Sequence, residues 1–328
     1  MSQKNETLLL LLTLLITAGL LGGGFLWFTN RSSVELTGRR INATNQSAQS
    51  TSETFGSVQG VPSGLISYGG STTWVPIRKD VDSAIQRTWP KFQLRYTNPS
   101  KGAPNSETGI RMLLENQLDF AQSSVPIPNK YYQQAQQRGI SLKEIAVAID
   151  ALAVVVNPSL NIPGLTVEQV DKIYEGKIIN WNQVGGPNLK IKPYSKAQQK
   201  ADSHIEFTAT TTEALRGVAR NPGGIFYASA PLLVTQCNVK PLPLGRNANQ
   251  LVSPYKEPLV PLSECPAKRN QLNIDAFKSG QYPNTRRLFV IVKQNGQLDE
   301  QAGEAYAKLL LTAQGQKLIA KAGFVRIR

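Results

Sequence analysis

The sequence is poor in the residues that most metal and catalytic sites use. Its 328 residues include one histidine, His204, and two cysteines, Cys237 and Cys265. One histidine excludes a His-rich metal site, and two cysteines are too few for a zinc ribbon or an iron–sulfur cluster. The sequence also lacks a G-x-S-x-G elbow, a P-loop and a G-x-G-x-x-G motif. We therefore expect a protein that is not an enzyme and holds no metal or other cofactor.

Acidic residues are in deficit, because 36 Lys and Arg face only 22 Asp and Glu, for a net charge of +14. Such an excess suggests an anionic partner, which could be a nucleic acid, a membrane surface or a small anion. The positive charge is spread along the chain, with neither Lys/Arg runs nor a basic motif interleaved with aromatic residues. The sequence therefore argues against nucleic-acid binding and leaves the other two partners open.

Two N-terminal segments stand apart from the rest of the chain. Residues 7–28 form a Leu-rich run of 22 residues without a charge, long enough for a membrane-spanning helix. This run continues past Gly22, the best site for signal cleavage, which favours a signal anchor over residues 1–28 rather than a cleaved signal peptide. Half of residues 29–62 are Ser, Thr, Asn or Gln without an apolar period, which predicts a disordered linker.

The remaining chain alternates between strand and helix patterns. Apolar runs and alternation predict strands near 64–68, 92–96, 118–121, 145–157, 224–227 and 287–293. Helical spacing predicts helices near 71–89, 108–117, 131–138, 166–174, 211–219 and 302–322. This alternation indicates an α/β fold with a mainly parallel sheet.

The two most apolar strands suggest how the chain divides into lobes. Residues 145–156 and 287–293 frame a long central segment, as expected when a chain leaves one α/β lobe, builds a second and returns. We therefore predict one lobe from residues 63–156 plus 287–328 and another from 157–286. A cleft between two lobes is a common ligand site.

Five segments occur in an order that is typical of one protein family. They are YGGSTTWVPI (68–77), NSETGIRMLLENQLDFAQSSVPI (105–127), IDALAVVVNPSLNI (149–162), LTVEQVDKIYEGKIINWNQVGG (165–186) and NPGGIFYAS (221–229). In this order they resemble the phosphate-type solute-binding proteins of ABC transporters, and the resemblance extends from about residue 64 to 328. It implies a type II periplasmic-binding-protein-like fold, in which two α/β lobes joined by a two-stranded hinge hold an oxyanion in a central cleft. It also implies an extracytoplasmic location and ABC permease subunits as partners.

The candidate ligand residues are hydroxyl and cationic side chains at predicted turns. A tetrahedral oxyanion needs many hydrogen-bond donors, which hydroxyls and backbone N–H groups at helix starts supply. By resemblance, Thr72 would donate its hydroxyl and Thr73 its backbone N–H. The full candidate set is Ser71, Thr72, Thr73, Ser106, Ser123 and Ser124 in the first lobe and Lys196 and Ser203 in the second. The alternative is that these Ser and Thr residues only cap helices.

Several positions depart from the family pattern. Ser124 stands where phosphate binders often place an Asp that accepts the proton of hydrogen phosphate. Lys196 replaces an Arg and would act as a point charge rather than a bidentate clamp, and Glu107 replaces a Gly beside the expected anion. These departures leave a second function open, in which a degenerate homologue serves sensing or protein interaction without tight phosphate binding.

The remaining expectations concern the cysteines, the histidine and the assembly. In an oxidising compartment we expect Cys237 and Cys265 to form a disulfide, the alternative being two buried free thiols. His204 has no neighbouring acid and nucleophile in a catalytic pattern, so we expect a surface histidine. We further expect a monomer that is tethered to the inner membrane and faces the periplasm or an equivalent space.

Overall fold

The computed structural model describes residues 53–196 and 204–327. The anchor expected at residues 1–28 and most of the linker expected at 29–62 lie outside these ranges. Among the helices within them, none is long and apolar enough to cross a membrane.

The strands of the described ranges form one nine-stranded and one three-stranded sheet. Their bounds are β1 Gly64–Gly70, β2 Phe92–Tyr96, β3 Phe120–Ser123, β4 Ser141–Val156, β5 Leu165–Thr166, β6 Lys192–Ser195, β7 Glu206–Phe207, β8 Gly224–Ser229, β9 Lys240–Leu242, β10 Leu244–Gly245, β11 Leu251–Val252 and β12 Thr285–Gln294. The large sheet has the order β2-β1-β3-β12-β4-β8-β6-β7, with β9 also paired to β4. The small sheet has the order β11-β10-β5.

Helices connect most of these strands. Their bounds are α1 Val75–Thr88, α2 Ser106–Leu114, α3 Asn129–Gln137, α4 Val167–Tyr174, α5 Thr211–Arg220, α6 Ala230–Leu233, α7 Ile274–Ser279, α8 Leu298–Leu311 and α9 Ala313–Lys321. Short 3₁₀ turns occur at Phe55–Ser57, Thr72–Trp74, Trp181–Val184 and Leu262–Glu264.

Helix α1 illustrates how local sequence fixes the elements around the site. A proline, Pro76, lies in its first turn, where the missing N–H costs nothing. Ile77, Val81 and Ile85 recur every fourth residue and are fully buried against the sheet. The helix ends at Thr88, two residues before Pro90, whose ring restricts the preceding residue.

The sheet is mixed, so the prediction of a mainly parallel sheet was wrong for its centre. The pairs β1–β2, β1–β3 and β6–β8 are parallel, as strand–helix alternation predicts. The central strand β4 is antiparallel to β12, β8 and β9. Its apolar run reflects burial on both faces, and that pattern carries no information about strand direction.

Strand β4 joins the two halves of the large sheet. Its residues 141–151 pair with β12, and its residues 152–156 pair with β8. Buried side chains on either side of this division form different clusters. One cluster is built mainly from residues 151–282, whereas another contains residues of β1, α1, β12, α8 and α9.

Two terminal segments differ from the sequence-based expectation. The linker was predicted to reach residue 62, but Phe55 is fully buried in the cluster that contains residues of β1, α1 and β12. Its carbonyl accepts a hydrogen bond from Trp89 Nε1 at 2.8 Å, and its N–H donates to Gln314 at 2.8 Å. The C-terminal helical region is two helices, because Thr312 ends α8 and its hydroxyl caps α9 by accepting the Gly315 N–H at 3.0 Å.

Cys237 and Cys265 form the predicted disulfide, with their Cα atoms 5.7 Å apart. The bridge closes a segment rich in proline that contains little regular structure. Such a segment gains much of its order from the covalent link, because few ladder hydrogen bonds hold it.

Replacing both cysteines by serine should lower the free energy of unfolding by about 3–4 kcal/mol, the loop-closure entropy for a loop of this size. Denaturant unfolding with and without dithiothreitol measures the effect. The reductant should destabilise the wild type and leave the double Ser variant unchanged. Equal stability of the oxidised wild type and the variant would show that the bridge does not stabilise the fold.

Candidate functional site

Three serine side chains from the segments that follow β1, β2 and β3 meet in one buried cluster. Ser71 follows β1, Ser106 begins α2 and Ser124 follows β3, and each is at most 8% exposed. Ser71 Oγ donates to Ser124 Oγ at 3.0 Å. Ser106 Oγ accepts the Ser124 N–H at 3.0 Å and lies 3.3 Å from Ser124 Oγ. We call these three residues the hydroxyl cluster.

Ser71 caps the 3₁₀ turn Thr72–Trp74 by accepting the Thr73 N–H at 3.3 Å, the same N–H that was expected to donate to the anion, whereas α2 is capped by a residue outside the cluster. Asn105 caps α2, because its side chain accepts the Thr108 N–H at 2.9 Å and its own N–H donates to Thr108 Oγ1 at 2.9 Å. The hydroxyl of Ser106 is therefore not needed for capping and turns to Ser124. By contrast, Thr210 caps α5 by accepting the Glu213 N–H at 3.1 Å, so its hydroxyl serves the helix.

Close backbone packing holds the hydroxyl cluster together. Gly70 has φ +119°, a conformation that favours glycine, and a Cβ there would lie 2.3 Å from the Gln122 carbonyl oxygen. A Cβ on Gly109 of α2 would lie 2.6 Å from the Cα of Gly70. Helix α2 therefore rests directly on the end of β1, which brings Ser106 within reach of the two other serines.

Two cationic side chains contact Thr72 and Thr73 in the 3₁₀ turn that precedes α1. Lys196, directly after β6, donates from Nζ to Thr72 Oγ1 at 3.1 Å. Arg286, in β12, donates from Nη2 to Thr73 Oγ1 at 2.9 Å. Burial, followed by repulsion from Arg286, lowers the pKa of Lys196. Residues from three distant parts of the chain thus converge beside the hydroxyl cluster.

A buried carboxylate lies behind Arg286. Asp150 of β4 is fully buried, and its two oxygens are engaged by different partners. Arg286 Nε contacts Asp150 Oδ2 at 3.1 Å, and Ser229 Oγ donates to Asp150 Oδ1 at 2.5 Å. Burial raises the pKa of Asp150 to about 6, although Arg286 and Ser229 both oppose that shift.

A second buried network supports the hydroxyl cluster from the α1 side. Arg78 lies over the Tyr96 ring and donates to Gln122 Oε1 at 2.9 Å. Gln122 Nε2 donates to Tyr306 OH at 3.0 Å, and Tyr306 OH donates to Asp82 at 2.8 Å. Burial raises the pKa of Asp82. This network fixes Gln122, whose carbonyl accepts the Ser71 N–H at 2.8 Å.

Most of the predicted site residues occur together. The residues in or next to the hydroxyl cluster are Ser71, Thr72, Thr73, Ser106, Ser124 and Lys196. Ser123 is a correction, because its hydroxyl donates to the Val125 carbonyl at 2.6 Å and thus serves the local turn. Ser203 lies outside the described residues. Glu107 is turned away from the cluster to contact Lys130 and Tyr131 OH.

Sequence reasoning missed Arg286, Arg78 and Asp150. Arg286 lies just before the predicted strand 287–293 and next to Arg287. Arg286 is half-buried and Arg287 is exposed, because neighbouring residues of a strand point to opposite faces of the sheet. Asp150 interrupts the apolar run of β4, a signal for a buried charged group that needs a partner. His204, expected at the surface, is partly buried, with Nε2 3.2 Å from the Tyr174 carbonyl oxygen.

The described residues contain no cluster of three or more His, Cys, Asp or Glu side chains that could hold a metal ion. The hydroxyl cluster itself has no carboxylate within hydrogen-bond distance in the described part of the chain. The site therefore offers hydroxyl groups, amides and cations, which are groups that bind anions.

Comparisons with known proteins point in the same direction. The family model described as a PBP superfamily domain matches residues 43–314. The phosphate-binding protein PstS of Staphylococcus haemolyticus is 25% identical over 78% of this chain and 79% of its own length. Protein SphX of Synechococcus elongatus is also 25% identical, over 73% of this chain and 76% of its own.

Solved structures share the fold. A Clostridium perfringens protein, assigned as a substrate-binding protein of a phosphate ABC transporter and solved with bound phosphate, has a TM-score of 0.60. It is 18% identical, and the match covers 81% of this chain and all of that one. An ABC-type phosphate transport receptor from Vibrio cholerae has a TM-score of 0.55 at 19% identity, over 80% and 99% of the two chains.

The raised pKa of Asp150 predicts how stability depends on pH. Because the folded-state pKa of about 6 exceeds the ordinary value of 3.8, Asp150 contributes stability below about pH 4 that is lost as the pH rises through 6. Asp150→Asn does not titrate, so the variant should gain about 3 kcal/mol relative to the wild type between pH 4 and 7. Urea unfolding across this range measures the difference.

The matched control is Asp171→Asn, which removes an exposed carboxylate and should show no such pH-dependent gain. A difference between Asp150→Asn and wild type that stays constant from pH 4 to 7 would contradict the prediction.

Proposed function

Because the chain belongs to the PBP superfamily, we propose that it captures phosphate or a similar tetrahedral oxyanion and delivers it to an ABC transporter. The names of the relatives support this ligand class, since PstS proteins are phosphate-binding proteins. The similarity covers 78% of this chain and 79% of the Staphylococcus haemolyticus relative.

One observation carries the proposal. Three buried serine hydroxyls from the segments that follow β1, β2 and β3 form a single cluster, and Lys196 reaches its edge from the other half of the sheet. The three hydroxyls hydrogen-bond to one another, and each can turn its proton toward a ligand, which suits an oxyanion with four acceptor atoms. In this proposal Ser71, Ser106 and Ser124 would hold one side of the anion.

We assign the mechanism to lobe movement rather than catalysis. The proposed lobes are residues 63–156 plus 287–328 and residues 157–286. The separate clusters of buried side chains support two lobes, although residues 151–156 of β4 pack with the second. Strands β4 and β12 would act as the hinge, because β4 spans the junction and β12 begins at it. Closure on the anion would bring Lys196 toward Thr72 and form the transport-competent state.

The proposal extends to location and partners. We infer an extracytoplasmic protein whose N-terminal segment anchors it to the membrane and which works as a monomer with ABC permease subunits. The disulfide between Cys237 and Cys265 supports an oxidising compartment. The alternative, a degenerate homologue used in sensing or protein interaction, is not favoured, because six of the eight proposed ligand residues converge.

Removing hydroxyls from the cluster tests the proposed function. Isothermal titration of the full chain in detergent should show binding of phosphate, sulfate or both. Ser106→Ala and Ser124→Ala should each weaken that binding roughly 10-fold or more, because each removes one hydrogen bond to a charged ligand. Trp74, buried beside the cluster with Nε1 donating to the Ser123 carbonyl, provides a fluorescence signal for the same titration.

Ser83→Ala is the matched control, since Ser83 is an exposed serine on the outer side of α1, and its affinity should equal that of the wild type. A folded wild-type chain that binds no oxyanion would refute the proposed function and favour the alternative.

The lowered pKa of Lys196 predicts a pH dependence of binding. Because burial and Arg286 lower this pKa, Lys196 loses its charge at a lower pH than an ordinary lysine, and anion affinity should begin to fall at a correspondingly lower pH. Sulfate is the useful probe, since it does not titrate in this range. Lys196→Arg keeps its charge throughout and should flatten the profile. Parallel profiles for the two proteins would contradict the assignment of Lys196.

A further inference from the structure

Arg286 occupies a special position between the hinge strands and the hydroxyl cluster. It lies in β12 directly opposite Asp150 of β4 in the strand register. Its side chain is 26% exposed, and its Nη2 atom reaches Thr73 Oγ1 at 2.9 Å. The side chain thus extends from the middle of the sheet to the 3₁₀ turn Thr72–Trp74, next to the hydroxyl cluster where the anion is proposed to bind.

We propose that Arg286 grips the bound oxyanion directly, and that Asp150 is a positioning residue that acts through Arg286. This inference rests on the proposed function and adds the main cationic ligand to it. The ligand class is a tetrahedral oxyanion with at least two free oxygen atoms, which a planar guanidinium can contact through two N–H groups at once.

The orientation of the guanidinium supports a direct contact. Asp150 contacts Nε and Thr73 accepts from Nη2, so two of the three guanidinium nitrogens of Arg286 are held in place. Among the described residues, Arg286 Nη1 has no hydrogen-bond acceptor. Every fully buried side-chain nitrogen in these residues has a partner, so Nη1 is not fully buried and faces accessible space. Thr73 accepts a bond from Arg286 and keeps its own hydroxyl proton for another acceptor.

The neighbouring cations are less suited to this role. Arg78 is committed to Gln122 Oε1 and to the face of the Tyr96 ring. Lys196 offers a single ammonium group whose pKa is lowered by burial. Arg286 instead presents several N–H donors in one fixed plane, which matches the geometry of an oxyanion.

Asp150 has the position expected of a residue that orients Arg286. It is fully buried, so it cannot reach an anion in the cleft, and Ser229 fixes its second oxygen at 2.5 Å. Its carboxylate therefore determines which way the guanidinium points. The chain of contacts from Thr73 through Arg286 and Asp150 to Ser229 also crosses between β12, β4 and β8.

Substitutions at two adjacent arginines test the ligand role. Arg286→Gln should weaken binding of inorganic phosphate and sulfate at least 100-fold, and Arg286→Lys about 10-fold. Arg287→Gln removes the same charge from an exposed side chain of the same strand and should change affinity less than twofold. Titration calorimetry measures all three, with thermal unfolding to show that each variant is folded.

The outcomes separate the two proposals. A wild type that binds no oxyanion defeats the proposed function itself. A wild type that binds, together with a folded Arg286→Gln protein within threefold of its affinity, defeats only the role of Arg286. A double-mutant cycle tests Asp150: Asp150→Asn should weaken binding in the wild type and have no further effect in Arg286→Gln. Equal losses in both backgrounds would indicate a general structural role and overturn the positioning assignment.

A measurement without variants covers the case in which Arg286→Gln does not fold. Wild-type protein is treated with phenylglyoxal, which modifies arginine, with and without inorganic phosphate, and the modified peptides are identified by mass spectrometry. Phosphate should protect Arg286 and leave Arg287 equally modified in both samples. Equal modification of Arg286 with and without saturating phosphate would overturn the proposal.

Discussion

The antiparallel pairing of β12 with β4 is the constraint on which the rest of the molecule depends. Its register extends over the full length of β12 and sets Arg286 opposite Asp150. Beyond Ala151 the same strand β4 pairs with β8 and β9, so one continuous backbone belongs to both halves of the sheet. The contacts of Arg286 with Asp150 and Thr73 begin at this junction, whereas Lys196 reaches Thr72 from the end of β6.

Sequence reasoning succeeded where the relevant signal was local. The turns after β1 and β3 were predicted because Gly, Ser and Thr follow short apolar runs, and Ser71, Ser106 and Ser124 lie together as the family order implied. Lys196 was proposed as a ligand residue from the order of the family segments. It contacts Thr72, although the two residues are 124 positions apart in the sequence. The disulfide was expected for another reason, because the sequence has only two cysteines and an oxidising compartment favours their pairing.

Sequence reasoning failed where the outcome depends on pairing across the sheet. The direction of β4 could not be derived, because burial on both faces gives the same pattern in parallel and antiparallel neighbours. Arg286 and Arg287 are identical residues in adjacent positions, and only the register against β4 decides which one faces the site. Phe55 was assigned to the linker because its neighbours are polar, although it packs into the core beside Trp89.

The type of polar group in the site changes with distance from the hydroxyl cluster. Hydroxyls and amides form the cluster, cations lie at its edge, and the carboxylates of Asp150 and Asp82 stay behind them, each engaged by hydroxyl or guanidinium donors. Burial raises the pKa of both carboxyl groups. The overall charge of +14 is thus less informative than the sign of the few groups that surround the serines.

The contact between Gly70 and Gly109 has a genetic consequence. A side chain at Gly109 would meet the backbone of Gly70, and a side chain at Gly70 would meet the backbone of Gln122. In most packed pairs a larger residue on one side can be offset by a smaller one on the other, but here both partners already lack a side chain. Damage at either position therefore has no compensating substitution at the other, and this contact is restored only by a return to glycine at the damaged position.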